Sequence, residues 1–236
     1  MAKYKAPRIA GGLFRLFFTL LLISVCSILA WRIFFSTRIP NEVETLAPNQ
    51  ALSEAYAVHG DNLTLRYQEL SSITRAQSNY GYFSVESCVF IPEAEQVQII
   101  FRYNNSTIRH LAQDKDLPAI PDKSEHLFDV SLVRATDLTP ADKNDNLDAT
   151  TLQTERILPS GEPVRAETSL YTYYRYVFDG VTVEDITDAI YIDVYYIGDI
   201  NYAVPAYGTL CVYAWDEEWI SYRPTKADRA AFTAIA

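Results

Sequence analysis

From Leu16 to Trp31 (LFFTLLLISVCSILAW) the chain carries no charge, and the apolar run extends past Arg15 to Leu13 and past Arg32 to Phe35. A helix needs about 20 apolar residues to cross a bilayer, and an arginine near each end can reach the headgroups on its long stem. Residues 13–35 are therefore expected to form a transmembrane helix. A buried core helix is the bland reading, against which the segment is apolar all round and begins after a basic, acid-free leader. Lys3, Lys5, Arg8 and Arg15 precede the span and only Arg32 and Arg38 follow it closely. The bias that keeps positive flanks in the cytoplasm makes residues 1–12 a short cytoplasmic leader of a single-pass cell-membrane protein, with everything after the span extracytoplasmic.

A cleaved signal peptide is the rival, since it shares a basic leader and an apolar stretch. The run is long for such a peptide, and Trp31 and Arg32 follow Ala30 where small residues would suit a peptidase. Cys26 follows Val25, bulkier than the residue a lipoprotein cysteine favours, and is expected inside the span. Either rival would still export the remainder, so a signal-anchor is the expectation.

Charge divides at the same place. Five of the 20 basic residues precede Ser36 and all 30 acidic ones follow it, leaving 15 basic against 30 acidic groups in the rest of the chain. A domain that acidic repels nucleic acid and anionic lipid, which excludes them as its partners. Its length suits one globular core.

Residues 36–60 divide into a polar, two-proline stalk (STRIPNEVETLAP, 36–48) with no core of its own and a short helix. Asn49 is placed to cap that helix and Gly60 to end it in the left-handed region. Beyond it the apolar period becomes two. Leu63, Leu65 and Tyr67 alternate, then Phe83, Val85, Val89 and Ile91 share one face. Val97, Ile99, Phe101 and Tyr103 follow after a turn at Pro92 to Glu95, which makes a hairpin of the pair, and Phe128, Val130 and Leu132 mark a further strand. Residues 135–169 hold three prolines and many acids with almost no periodicity, a long excursion of the kind that often carries function. Strong strands resume at 170–178, 189–197 and 209–215. The tail, 225–236, reads as a short amphipathic helix or a frayed end.

Strands joined by turn-rich connections without long helices predict a mainly β unit over 61–224, an antiparallel β-sandwich of immunoglobulin-like or jelly-roll-like type, with a closed barrel as the alternative. Cys88 and Cys211 are either a disulfide, which would stabilise the fold by about 4–5 kcal/mol through loop closure, or two buried thiols in separate strands.

Two groups of residues are candidates for function. LYTYYRYVF (170–178) and AIYIDVYYI (189–197) read as a hairpin around Gly180, with Tyr174, Tyr176, Phe178, Ile190, Ile192, Val194 and Tyr196 in the core. The opposite face then shows Tyr171, Tyr173 and Arg175 beside Tyr191, Asp193 and Tyr195, flat rings with polar tips that can stack on a glycan or anchor a protein. The bland reading is that tyrosine is a good strand former and that this face is covered by a loop or carries an Arg175–Asp193 pair. Asp142, Asn144, Asn146 and Asp148 alternate oxygen ligands around Asp145, as a Ca²⁺ loop does, but Leu147 and Gln153 stand where an EF-hand needs glycine and glutamate. No two of His59, His110 and His126 fall at a zinc spacing, and no phosphate loop or nucleophile elbow appears. Asn62, Asn104 and Asn105 open glycosylation triplets.

These features point to a membrane-anchored extracytoplasmic binding or adaptor module without catalysis. A structural subunit of an envelope or membrane complex is the next reading and a glycan-acting enzyme the third.

Overall fold

The computed structural model describes residues 8–70, 83–106, 127–134, 156–186, 189–196, 209–213 and 219–233. The chain forms two units, Met1–Arg38 and Ile39–Ala236. The first is one helix, α1 (Arg8–Thr37), within which the 22 residues Phe14–Phe35 are long and apolar enough to cross a membrane. At 1.5 Å per residue that stretch runs about 33 Å, against about 30 Å for a hydrocarbon core. None of it is buried within the protein. The hydroxyl of Thr19 donates to the carbonyl of Arg15 at 2.9 Å, so this polar group in the apolar run is satisfied by its own helix.

The second unit is mainly antiparallel sheet. Its helices are α2 (Asn41–Glu44), α3 (Gln50–His59), α4 (Val183–Ile186) and α5 (Lys226–Thr233). Its strands are β1 (Leu65–Glu69), β2 (Phe83–Ile91), β3 (Gln96–Asn104), β4 (Phe128–Arg134), β5 (Arg156–Ile157), β6 (Val164–Glu167), β7 (Tyr171–Asp179), β8 (Ala189–Tyr196), β9 (Thr209–Tyr213) and β10 (Ile220–Tyr222). Among the described residues they make a six-stranded sheet in the order β10-β1-β2-β3-β7-β6 and a four-stranded sheet in the order β5-β4-β8-β9.

One core lies between the sheets. Phe83, Val85, Cys88 and Phe90 of β2, Val97, Ile99, Phe101 and Tyr103 of β3 and Tyr174, Tyr176 and Phe178 of β7 meet Phe128, Val130 and Leu132 of β4 and Ile192 and Val194 of β8. The Phe101 ring stands 5.4 Å from both Phe83 and Phe128, and the Tyr176 hydroxyl donates to the Phe128 carbonyl at 3.0 Å, tying β7 to β4 across the interior. Two sheets sharing one core are compatible with a sandwich, and the strand order singles out neither the immunoglobulin-like nor the jelly-roll type. Cys88 is a free thiol within this core, and burial pushes it up to about 12.

The strands depart from the sequence pattern in three ways. Simple alternation puts Phe83, Val85, Val89 and Ile91 on one face. The pairing of β2 with β3 instead shifts between Val85 and Ser87, an irregularity that turns Cys88 and Phe90 inward and Val89 and Ile91 outward. One extra residue in a strand reverses every later side chain, so period-two counting fails beyond it. The hairpin of β7 with β8 does not form: β7 pairs with β3 and β6, and β8 with β4 and β9. Gly180, with φ of 75°, starts a passage from one sheet to the other in which the Thr182 hydroxyl and the Asp185 carboxylate cap α4 reciprocally. Finally, the excursion at 135–169 includes two edge strands, β5 on β4 and β6 on β7.

The outer face of the six-stranded sheet is covered as well. Val43, Leu46 and Ala47 are buried against it, with Leu52 and Ala55 of α3 and Phe232 of α5. The segment read as a coreless stalk is thus, from Ile39 on, a strap packed on the sheet. Asn49 caps α3 as expected, its side-chain oxygen accepting from Leu52 N–H at 3.0 Å, and Gly60 ends that helix with φ of 55°. Of the two readings of the tail, the helix forms over Lys226–Thr233, as α5.

Candidate functional site

Outward-facing positions on adjacent strands line up across the six-stranded sheet. Ser87 of β2 stands opposite Ile100 of β3, which stands opposite Arg175 of β7; in the next row Tyr67 of β1 faces Val89. These residues, with Tyr222 of β10, floor a cleft of about 220 Å³, and Ile39, Glu44 and Leu46 of the strap form its wall.

Arg175 is 2% exposed and is the largest fully buried side chain described. Its Nε donates to the Val43 carbonyl at 2.6 Å, its Nη2 to the Glu44 carbonyl at 2.8 Å and its Nη1 to Gln98 Oε1 at 3.2 Å. All three acceptors are neutral, and none of the ion pairs among the described residues includes Arg175. A guanidinium carries five N–H donors, so one hydrogen on each Nη is left over. Burial lowers Arg175 from its ordinary value to about 10, the Asp228 charge being the first influence that opposes the fall, so the group is cationic at neutral pH.

The wall is held by a polar network. Gln98 Oε1 accepts from Ala47 N–H, and its amide nitrogen donates to Ala47 O and Gln96 Oε1. Gln96 in turn donates to Asn49 and Asp179. From α5, Asp228 accepts the Leu46 N–H at 2.9 Å, the Tyr222 hydroxyl at 2.7 Å and both the N–H and hydroxyl of Thr225. Burial works to raise the Asp228 carboxyl, but the bonds from Leu46, Thr225 and Tyr222 outweigh it and hold the group below its ordinary value. Burial, followed by the bond to Asp228, raises Tyr222, which stays a protonated donor.

The sign of the pH dependence follows. A carboxyl whose folded value is depressed adds stability above the ordinary carboxylate value near 3.9, and that stability is lost as pH falls through the lower folded value. Asp228→Asn should cost about 1–3 kcal/mol at pH 7, where it weakens a buried acceptor of several donors, with the difference from the native chain shrinking below about pH 4. Urea midpoints of both proteins at pH 7 and pH 3 check this.

Of the six residues expected on one aromatic face, the structure gathers Tyr171, Tyr173 and Arg175 and separates the other three. Tyr191, Asp193 and Tyr195 belong to β8 of the four-stranded sheet. Asp193 is fully buried there, 3.5 Å from Arg156. Tyr173 is buried by the strap, and Tyr171 carries the Arg102 guanidinium 4.2 Å above its ring, with Arg102 also paired to Glu86 at 2.7 Å. Asp142, Asn144, Asn146 and Asp148 lie outside the described residues. Among the described residues no group of three or more His, Cys, Asp or Glu side chains is placed to hold a metal.

Sequence reasoning found Arg175 but missed Gln98, Ser87, Tyr67, Tyr222 and Asp228. Polar side chains at alternate strand positions read as solvated, and only the apolar spacing of Val43, Leu46 and Ala47 in the strap hinted at a cover for them. No known protein family, curated protein or solved structure matches the chain.

Proposed function

We propose that the chain is a membrane-tethered binding module, with α1 as a single-pass signal-anchor, its basic end in the cytoplasm, and the acidic β unit outside, where the cleft beside Arg175 receives a ligand without transforming it. The observation that carries this reading is a buried cation, bonded only to neutral oxygens, lining a cleft. Burying a charge is costly unless it is paired, so such a group is more readily explained by an anion it meets than by strap packing, which a neutral donor would serve. Tethering raises local concentration, which lets even a weak site act near the surface. A structural subunit of an envelope complex is the alternative, favoured by the apolar side chains of Phe14–Phe35, none of which is buried within the protein.

A photo-cross-linking residue at Glu44, exposed at the cleft wall, tests the reading in intact cells. A specific adduct lost on Arg175→Lys is expected, in a protein whose β unit is cut by protease added outside. No adduct at Glu44, together with cross-links from α1 to a membrane protein, would instead favour the subunit; protection from external protease would overturn the orientation.

A further inference from the structure

Resting on that reading, we infer that the ligand of the Arg175 cleft is a small monocarboxylate with a compact apolar body, its carboxylate on the guanidinium and its body against Ile39, Leu46, Val89 and Ile100.

Charge selects the head. Nη1 and Nη2 of Arg175 each keep one hydrogen beyond the bonds to Gln98 and Glu44, and a guanidinium with donors left on both nitrogens suits a carboxylate, which offers two oxygens. Ser87, Tyr67 and Tyr222 belong to the same lining, the Tyr222 hydroxyl being already donated to Asp228. Tyr67 is raised by burial first and then by Glu69, so it too remains a protonated donor at neutral pH. The lining holds a single cation. Glu44 stands on the wall and the Asp228 charge acts on Arg175 from behind Tyr222. One cation flanked by two carboxylates tolerates a monoanion and repels a dianion, which disfavours a phosphate monoester.

Size and polarity select the body. An apolar cavity of about 150 Å³ accommodates benzene, and drug-sized ligands occupy about 300 Å³ or more. The cleft, at about 220 Å³, lies between them. Four of its nine lining residues are aliphatic, so an aryl or branched alkyl group is accommodated and a sugar ring, with hydroxyls on every side, is not.

The test uses the full chain in non-ionic detergent at pH 7, with benzoate and 3-methylbutanoate titrated by calorimetry, benzamide and inorganic phosphate as controls, and Glu44→Gln and Arg175→Lys as variants. Each carboxylate should bind at one site. Benzamide, isosteric but neutral, should bind at least about tenfold more weakly, and phosphate should not displace benzoate. Arg175→Lys, which loses the fork, should weaken benzoate at least about tenfold. Glu44 contributes only its backbone carbonyl to the strap bond, so Glu44→Gln leaves the fold intact and should tighten benzoate about threefold by removing a like charge. Equal binding of benzamide and benzoate, displacement by phosphate, or unchanged benzoate affinity in Glu44→Gln would overturn the assignment, as would no carboxylate binding at all. In that last case a persisting Arg175-dependent adduct at Glu44 in cells would leave the binding module standing with another ligand class, and loss of both would remove the module itself.

Discussion

Arg175→Ala should lower the stability of the β unit by about 3–5 kcal/mol and free the strap. The native guanidinium satisfies the carbonyls of Val43 and Glu44 and the side-chain oxygen of Gln98, the first and third of them buried and the second partly so. Removing it orphans the two carbonyls at about 1–3 kcal/mol each, takes one of the two donors from Gln98 Oε1, which keeps the Ala47 N–H, and opens a void where the largest buried side chain among the described residues stood. The relief of no longer burying a charge offsets part of this, and such relief is what makes some buried ion pairs replaceable by apolar residues. Here the partners are backbone and amide oxygens that no apolar residue can satisfy. Arg175→Met, which keeps most of the volume, should accordingly still lose about 2–3 kcal/mol. Denaturant unfolding of the three proteins, followed by tyrosine and tryptophan emission, measures both differences.

Phe101→Ala should be of similar size, about 3–5 kcal/mol, for a different reason. The Phe101 ring lies between the sheets, 5.4 Å from Phe83, 5.4 Å from Phe128 and 6.3 Å from Tyr176. Truncation removes a fully buried ring and its edge-to-face pairing and leaves a cavity that strands on both sides are too constrained to fill. This residue acts on the inner face of the sheet and Arg175 on the outer. Phe101→Ala should leave benzoate affinity within about twofold of native at a temperature where the protein is folded, while Arg175→Ala should abolish it.

The contrast between these two positions shows where sequence patterns are informative. Phe101 belongs to a strict alternation, Val97, Ile99, Phe101 and Tyr103, and all four enter the core between the sheets. The same holds for Phe128, Val130 and Leu132 of β4 and for Tyr174, Tyr176 and Phe178 of β7. The apolar run that makes α1 and the cap at Asn49 were equally legible, because each rests on interactions within a few residues. What could not be read is set by long-range pairing. Nothing local distinguishes a β7–β8 hairpin around Gly180 from a passage between sheets, since both need a positive φ there. The irregularity after Val85 appears only when β2 is laid against β3. The cleft depends on residues brought together from far along the chain: Leu46 meets Asp228, 182 positions on, and Arg175 meets Val43 across 132. Gln96, Gln98 and Arg175 look like solvated positions until a polar strap with three inward apolar residues is laid over them, after which each finds a partner.

The strap therefore carries the account: it turns the outer face of a sheet into a walled cleft and buries a cation at its floor. Native-state hydrogen exchange of the amides of Leu46 and Ala47, bonded respectively to Asp228 and Gln98, tests it most directly. Protection within about tenfold of that of the β3 amides is predicted, falling together in Arg175→Ala. Exchange of these two amides at the rate of an unstructured chain, while β3 stays protected, would contradict it.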